Sequence, residues 1–471
     1  MTFFCVPFAA IFLLPQLFSG FLLPRQVETA VIHTAAGDVT RQEFETSNSA
    51  FTQHIRTWTD AENTVVRSDR FAPVSGTQTH ESTVLTVKGT GTMRTYDVKA
   101  NRWSEVPLCA GTFPKGMYFI RADGGDSIIV TPLAYRDRGT GMIEYLPSSD
   151  GTLEITKTAD GFSLSVQSGS VPVGAFSDAL ALTSRRQLFD WNDGDTLTHW
   201  QNYRFTDDNR WCWSGYYYTA PPEYYPNGEN YFHALPGAYI TCKMVRNAED
   251  GACRMLGIAM LDVMRRQQNE QGFLPSTAGS TWLKNDYGIE PGYYDTRFNT
   301  DLWLAVVNAA ENYGVTEWLP QARKYADFLV QYAQEHHSSI TTGDALLVQD
   351  YWHPNGEGLP THTSLNHHSV EAVFLYRLSC AAGDDSYALV ADRMVKGIEQ
   401  TASRWVRPDG NLHYSPAGVG GGADYPYLTY NDLVDLQTQY TARFHHPNAA
   451  IRMLAQTKLN WMQKNHVVIL Y

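Results

Sequence analysis

At 471 residues the chain is too long for one ordinary hydrophobic core, and division into two domains is the simplest expectation. Its net charge is −13 and it contains no Lys/Arg-rich run, so it lacks the electrostatic footprint of a nucleic-acid binder, and nucleic acid is excluded as a partner. An acidic chain can still handle an acidic polymer, provided that a few Arg, Lys or His residues are placed in a cleft.

In chain order, the first segment, Phe3 to Leu23, is almost wholly apolar and uncharged, and it is closed by Pro24 and Arg25. It reads as an export signal over residues 1–25, and its length also fits an uncleaved membrane anchor, so the protein is expected to be secreted or held at the cell envelope. Residues 26–80 read as a linker or extension. From Ser82 to Val173, short alternating runs such as Thr83–Val87, Met117–Arg121, Ser127–Thr131, Thr152–Thr156 and Phe162–Val166 are separated by turn residues, including Ala122–Gly125 and Ser149–Gly151. Period-two runs punctuated in this way predict an antiparallel, sandwich-like β domain over 81–190.

Residues 191–234 crowd Trp191, Trp200, Trp211, Trp213, Tyr216, Tyr217, Tyr218, Tyr224 and Tyr225 among Gly, Pro and Asp. Such rings suit the C–H faces of sugars, and they equally suit an aromatic connection packed between two domains. From Leu235 onward the period becomes helical. Ala238–Gln268, Thr300–Tyr313, Glu317–His336, His368–Cys380, Ser386–Ser403, Asp432–Arg443 and Ala449–Lys464 place apolar residues at three-and-four spacing. Repeated antiparallel helix pairs predict an (α/α) toroid over 235–471, with its chemistry on the loops at one end. The predicted fold class is therefore multidomain α+β. Cys109, Cys212, Cys242, Cys253 and Cys380 show no C-x-x-C spacing; core packing is the simpler reading, and a Cys242–Cys253 disulfide stays open in an exported protein.

Three loop segments join charged or phenolic groups to backbone-permissive residues directly before helices: Glu290–Asp295, Leu359–His367 and Asp424–Leu433. On these segments the stretch from Phe273 to Lys464 resembles the C-terminal domain of the glucuronyl C5-epimerases of heparan-type polysaccharides. That family has a Glu-Pro-Gly-aromatic-Tyr segment, a Pro-Thr-x-x-Ser…Leu-Asn segment and an Asp-Tyr followed eight residues later by Leu, in this order. A turn like the family's Gly-x-x-x-Tyr runs from Gly410 to Tyr414. The resemblance implies epimerisation of a polymeric uronic acid at carbon 5 by tyrosines, without a cofactor or metal. It implies catalytic roles for Tyr425 and for either His413 or Tyr414. The family's third tyrosine, which precedes Pro-Thr, is replaced by Leu359.

The chemistry itself calls for a base, an acid on the opposite sugar face, and groups that neutralise the carboxylate while an enolate-like anion forms. Glu290 and His362 join the catalytic candidates on these grounds, since imidazole titrates near neutrality. Tyr293, Tyr294, Arg297, Asn366, His367 and Asp424 are the expected substrate-binding residues, with Arg297 suited to hold a carboxylate bidentately. Each has a structural rival. Tyr293 or Tyr294 fits a core aromatic, Arg297 an ordinary ion pair, and Asp295 a helix N-cap. His362, His367 and His368 lack the i, i+4 spacing with an intervening Glu that a metal site would show, so no metal is expected. The Gly418–Gly422 run reads as a mobile loop or a linker. The expected partner is a polysaccharide, and a homodimer is left open. A polysaccharide lyase would start with the same proton abstraction, and a glycoside hydrolase would need paired carboxylates such as Glu290 with Asp424 or Glu357. A non-catalytic glycan-binding protein is the reading from another class.

Overall fold

The computed structural model describes residues 24–247, 250–418 and 422–468. The apolar segment Phe3–Leu23 lies outside them, as do the central glycines of the Gly418–Gly422 run. Among the described residues no helix is long and apolar enough to cross a membrane. The N-terminal half is a large antiparallel sheet and the C-terminal half is helical.

The sheet begins earlier than the sequence pattern predicts. Strands Arg25–Ile32, Val39–Ser47, Phe51–Thr59 and Val65–Pro73 form an antiparallel meander through the stretch expected to be a linker. They escape a hydrophobic reading because their cross-strand contacts are largely ionic. Glu43 accepts from Arg41 Nη1 at 3.1 Å and from Arg56 Nε at 2.8 Å. The meander continues through Ala175–Thr183, Gly125–Gly139 and Met142–Tyr145 into Tyr231–Ala234, Gly215–Thr219 and Asn209–Cys212. The expected connection at 191–234 therefore contributes strands to the same sheet.

A smaller sheet of Glu81–Lys88, Gly161–Gln167, Thr152–Lys157 and Gly111–Phe113 covers one face of the large one. Strands Met117–Ala122 and Gly125–Gly139 are covered on both faces, although the sequence pattern reads their segments as alternating runs with one buried face. Tyr118, Ile120 and Ile129 meet Leu153, Ile155 and Leu164 of the small sheet. Met117, Phe119, Ile128 and Val130 point the other way, into a core shared with the helices.

The helices are α1 (Gly194–Asn202), α2 (Tyr239–Arg246), α3 (Gly251–Arg265), α4 (Thr281–Tyr287), α5 (Thr296–Tyr313), α6 (Leu319–Glu335), α7 (Leu365–Ala382), α8 (Asp385–Thr401), α9 (Leu428–Phe444) and α10 (Ala449–Lys464). The single helix expected over 238–268 is two, because Asp250 caps a new one, accepting from Ala252 N at 2.8 Å and Cys253 N at 3.0 Å. Helices α2, α5, α7 and α9 pack side by side in that order, and α3, α6, α8 and α10 lie outside them. α7 is buried from Leu365 to Tyr376, as its mostly apolar or small faces require. The Cys242–Cys253 pairing does not form: the Cys242 thiol donates to Gly237 O at 3.2 Å, and the described cysteines are unpaired.

Where sheet meets helices, Asp262 of α3 collects four donors or cations. Trp58 Nε1 donates at 3.1 Å, Arg265 Nη2 at 2.6 Å and Arg266 Nε at 3.4 Å, and Arg41 Nε lies at 3.7 Å.

Candidate active site

The loops that start α5, α7 and α9 are stitched together at one end of the helical layer. Tyr294–Asp295 pairs antiparallel with Tyr351–Trp352. Thr296 N donates to Asp350 O at 3.0 Å, Asp350 N donates to His362 O at 2.9 Å, and Leu365 N donates to Tyr414 O at 3.3 Å. All three loop segments singled out from the sequence thus converge, along with α4 and part of the aromatic stretch.

At the centre is Asp350, fully buried and unmarked by any sequence motif. Its Oδ1 accepts from Ser364 N at 2.8 Å; its Oδ2 lies 3.4 Å from His362 Nε2 and 3.7 Å from His367 Nδ1. Burial opposes ionisation here, but the two imidazoles and Ser364 outweigh it, and the carboxyl is held below the usual range. Burial drives His367 down to about 4, so its ring is neutral at pH 7. On the far side of His362, Nδ1 is 2.7 Å from the phenol oxygen of Tyr287, the last residue of α4. Tyr287, His362 and Asp350 therefore form a phenol–imidazole–carboxylate row. Tyr287 was not singled out in the sequence, because Trp282–Tyr287 carries only the signature of a short helix. Leu359 is exposed, and its N–H donates to Tyr287 O at 2.7 Å. A phenol thus stands in the segment adjoining the position where the resembled family has one.

The row continues outward. The Tyr414 ring lies 5.4 Å from that of His362 and 5.7 Å from that of Tyr425, which it meets edge-on. Tyr425 is 49% exposed and forms the lip. Burial raises the pKa of both phenols, so both are protonated at neutral pH. Of the His413/Tyr414 pair, Tyr414 is the residue that touches the cluster.

Other expected residues have structural duties. Tyr294 points into the helical core, its hydroxyl 2.9 Å from that of Tyr325, so its expected place at the substrate is withdrawn. Arg297 is committed to Asp301 at 2.9 Å and Asp432 at 2.6 Å and reaches Asn366 O at 3.2 Å; it has no free fork for a sugar carboxylate. Asn366 is buried beneath it. Asp424 is locked to buried Lys458 at 2.7 Å and accepts from Thr429 Oγ1 at 2.6 Å, which anchors the Tyr425 loop instead of presenting a carboxylate. His368 is enclosed between Val348 N and Met394 O. Tyr293 is buried against Tyr351 and bonded to Tyr224. Asp295 caps α5 through Phe298 N at 2.9 Å, and burial pushes its carboxyl up to about 8.

Glu290 sits on the exposed rim, paired with Lys284 at 2.8 Å and accepting from Tyr225 at 3.0 Å. The aromatic stretch divides accordingly. Trp200, Trp211 and Tyr216 are core residues, whereas Tyr224 and Tyr225 reach this rim by pairing with Ser280 and Gly279.

Behind the site, Glu371 is fully buried one turn along α7 from His367, with Thr296 beside its carboxyl and no ion-pair partner among the described residues. Burial keeps it protonated. α7 and α9 also begin without a side-chain cap.

No protein-family model and no curated protein matches the chain. Among solved structures it is similar to a D-mannose isomerase (12% identity, 49% of this chain and 60% of that chain, TM-score 0.36). It is similar to a cellobiose 2-epimerase from Bacillus thermoamylovorans (10% identity, 48% of this chain and 59% of that chain, TM-score 0.36). A family 76 glycoside hydrolase from a bovine Bacteroides thetaiotaomicron strain is similar over 94% of this chain and 78% of that chain, at 11% identity and a TM-score of 0.38. The chain thus spans about 60% of the length of the first two.

Proposed function

We propose that the protein is an exported carbohydrate-active enzyme that abstracts the proton at carbon 5 of a polymeric uronic acid and returns one from the opposite face. The helical layer is read as an incomplete (α/α) toroid with the reaction at its loop end. The observation that carries this reading is the continuous row Asp350, His362, Tyr287 on one side and Tyr414, Tyr425 on the other.

The row supplies both halves of the chemistry. With His362 Nε2–H directed to Asp350, Nδ1 accepts the proton of Tyr287 as the phenol oxygen takes the hydrogen of carbon 5. The imidazolium so formed stands beside an ionised carboxylate, the arrangement that stabilises a charged histidine. Tyr425, protonated and at the lip, returns a proton to carbon 5, and Tyr414 positions it. Since Arg297 is spent on Asp301 and Asp432, the substrate carboxylate is met instead by Lys284 on the rim, which exchanges its contact with Glu290 for the sugar.

The test is incubation with uronate polymers in deuterated water, read by proton NMR. Deuterium at carbon 5 without ultraviolet absorbance of an unsaturated uronate is expected. Absorbance growing with chain cleavage identifies a lyase, which shares the abstraction and differs in expelling the group at carbon 4. Neither signal on any uronate polymer overturns the enzymatic reading in favour of a glycan-binding protein.

A further inference from the structure

We propose that the flank of α6 carries a second saccharide cleft, separate from the reaction site and built for neutral or amino-sugar units. It rests on the reading of the chain as a carbohydrate handler, and not on which reaction it performs.

A cavity of about 410 Å³ opens between α6 and the segment around Trp352. Its floor is aromatic and already ordered. The Trp352 ring lies 5.6 Å from His336 and 6.2 Å from Phe328, and His336 stacks on Tyr332 at 4.7 Å. Tyr332 is buried and fixed by its hydroxyl, which donates to Gln349 O at 3.0 Å, so it holds the layer from behind. Phe328, His336 and Trp352 remain half-exposed and give ring faces to the opening. Flat half-exposed rings bordered by hydrogen-bonding groups match the amphipathic faces of a pyranose, whose C–H face packs on a ring while its hydroxyls bond at the edge.

The rim decides which sugar. Glu270, Asp327 and Glu335 face Lys324, three carboxylates against one ammonium. Gln331 Nε2 donates to Glu335 Oε1 at 3.0 Å, which leaves the second amide hydrogen and the remaining carboxylate lone pairs for ring hydroxyls. The local excess of negative charge repels a uronate and favours an uncharged or cationic residue. The two sites are back to back on one strand: Tyr351 directs its ring to His362 and His367, at 5.9 and 5.6 Å, and Trp352, the next residue, points to the outer cleft.

The experiment uses the full chain with Tyr425→Phe, and measures binding of a glucosamine hexamer, cellohexaose and a hexagalacturonate by tryptophan fluorescence and calorimetry. The glucosamine hexamer and cellohexaose are expected to bind, and Trp352→Ala to weaken both by on the order of tenfold, leaving any binding of the hexagalacturonate unchanged. Glu335→Lys, on the exposed rim, tests the cleft without disturbing the packed floor. It should weaken the glucosamine hexamer by more than it weakens cellohexaose, because both lose an acceptor and only the amino sugar also loses a carboxylate. No binding of either oligomer, or binding indifferent to both substitutions, overturns the proposal. Because the readout is binding, the cleft stands or falls separately from carbon-5 exchange in the unsubstituted protein.

Discussion

The sheet–helix interface and the loop end of the helical layer both bury charge, and they treat it in opposite ways. At the interface charges are matched: Asp262 with Arg265, Arg41 and the Trp58 indole, and Arg70 with Asp178 through bonds of 2.7 and 2.6 Å. At the loop end Glu371 is buried without an ion-pair partner among the described residues, and Ser369 Oγ and Asn366 Oδ1 make no hydrogen bond among them. Charges that only hold a fold are paired, because an uncompensated one is costly. Buried polar groups left open mark where the fold gives up stability to keep hydrogen-bonding capacity for something else.

Substitutions that exchange the two behaviours test this contrast. The largest effect is expected from Asp262→Ala, which takes the carboxylate from Arg265 and Arg266, leaves Arg41 only Glu28 and Glu43, and should cost about 3–5 kcal/mol in guanidinium unfolding. A loss below about 1 kcal/mol would show that the interface does not depend on its charge matching. At the loop end, Tyr287→Phe should lower carbon-5 exchange by about 10²–10⁴-fold while stability falls by only about 1 kcal/mol, and wild-type exchange would remove Tyr287 from the row.

The third prediction is a pH dependence. Asp295 has its pKa raised from 3.8 to about 8, so it favours the folded state below about 3.8, and that contribution is lost as pH rises through 8. Asp295→Asn keeps an acceptor for Phe298 N and removes the titration. The variant should gain stability relative to the native chain as pH increases across this window, in denaturant midpoints measured along it. A difference that stays constant with pH would mean that Asp295 is ionised throughout. Glu371→Gln should behave in the same direction, starting from about 4.5. The smallest effect compares caps. Asn448→Ala, which removes acceptors for Ala450 N and Ile451 N, should cost about 1 kcal/mol, whereas Ser364→Ala at the uncapped start of α7 should stay within about 0.5 kcal/mol. Equal costs would erase the distinction between closed and open helix starts.

Much of this was legible along the chain, for identifiable reasons. The helices from Thr296 to Lys464 announce themselves by apolar spacing, and strands such as Met117–Ala122 by short runs set between turn residues. The strands between Arg25 and Pro73 did not, since Arg41, Glu43 and Arg56 make their pairing ionic and erase the alternation. The three loop segments were found because Pro, Gly and Asp stand directly before helices. Asp350 and Tyr287 carry no local signal, because Asp350 meets His362 and His367, and Tyr287 meets His362, only through tertiary contact. Tyr294 was misplaced for the complementary reason: nothing local distinguishes it from Tyr293, yet it faces Tyr325 in the core.

The doubly covered strands carry a consequence for how the chain can be divided. Phe119, Ile128 and Val130 share one core with helical residues such as Met255 and Leu256. A polypeptide ending near Leu235 would keep its sheet with one greasy face bare, and the remaining helices would lose the surface on which α3 rests. The sheet and the helices are therefore not interchangeable modules. They are expected to melt together in one cooperative transition, to resist proteolytic separation while folded, and to be inherited or lost as a single piece.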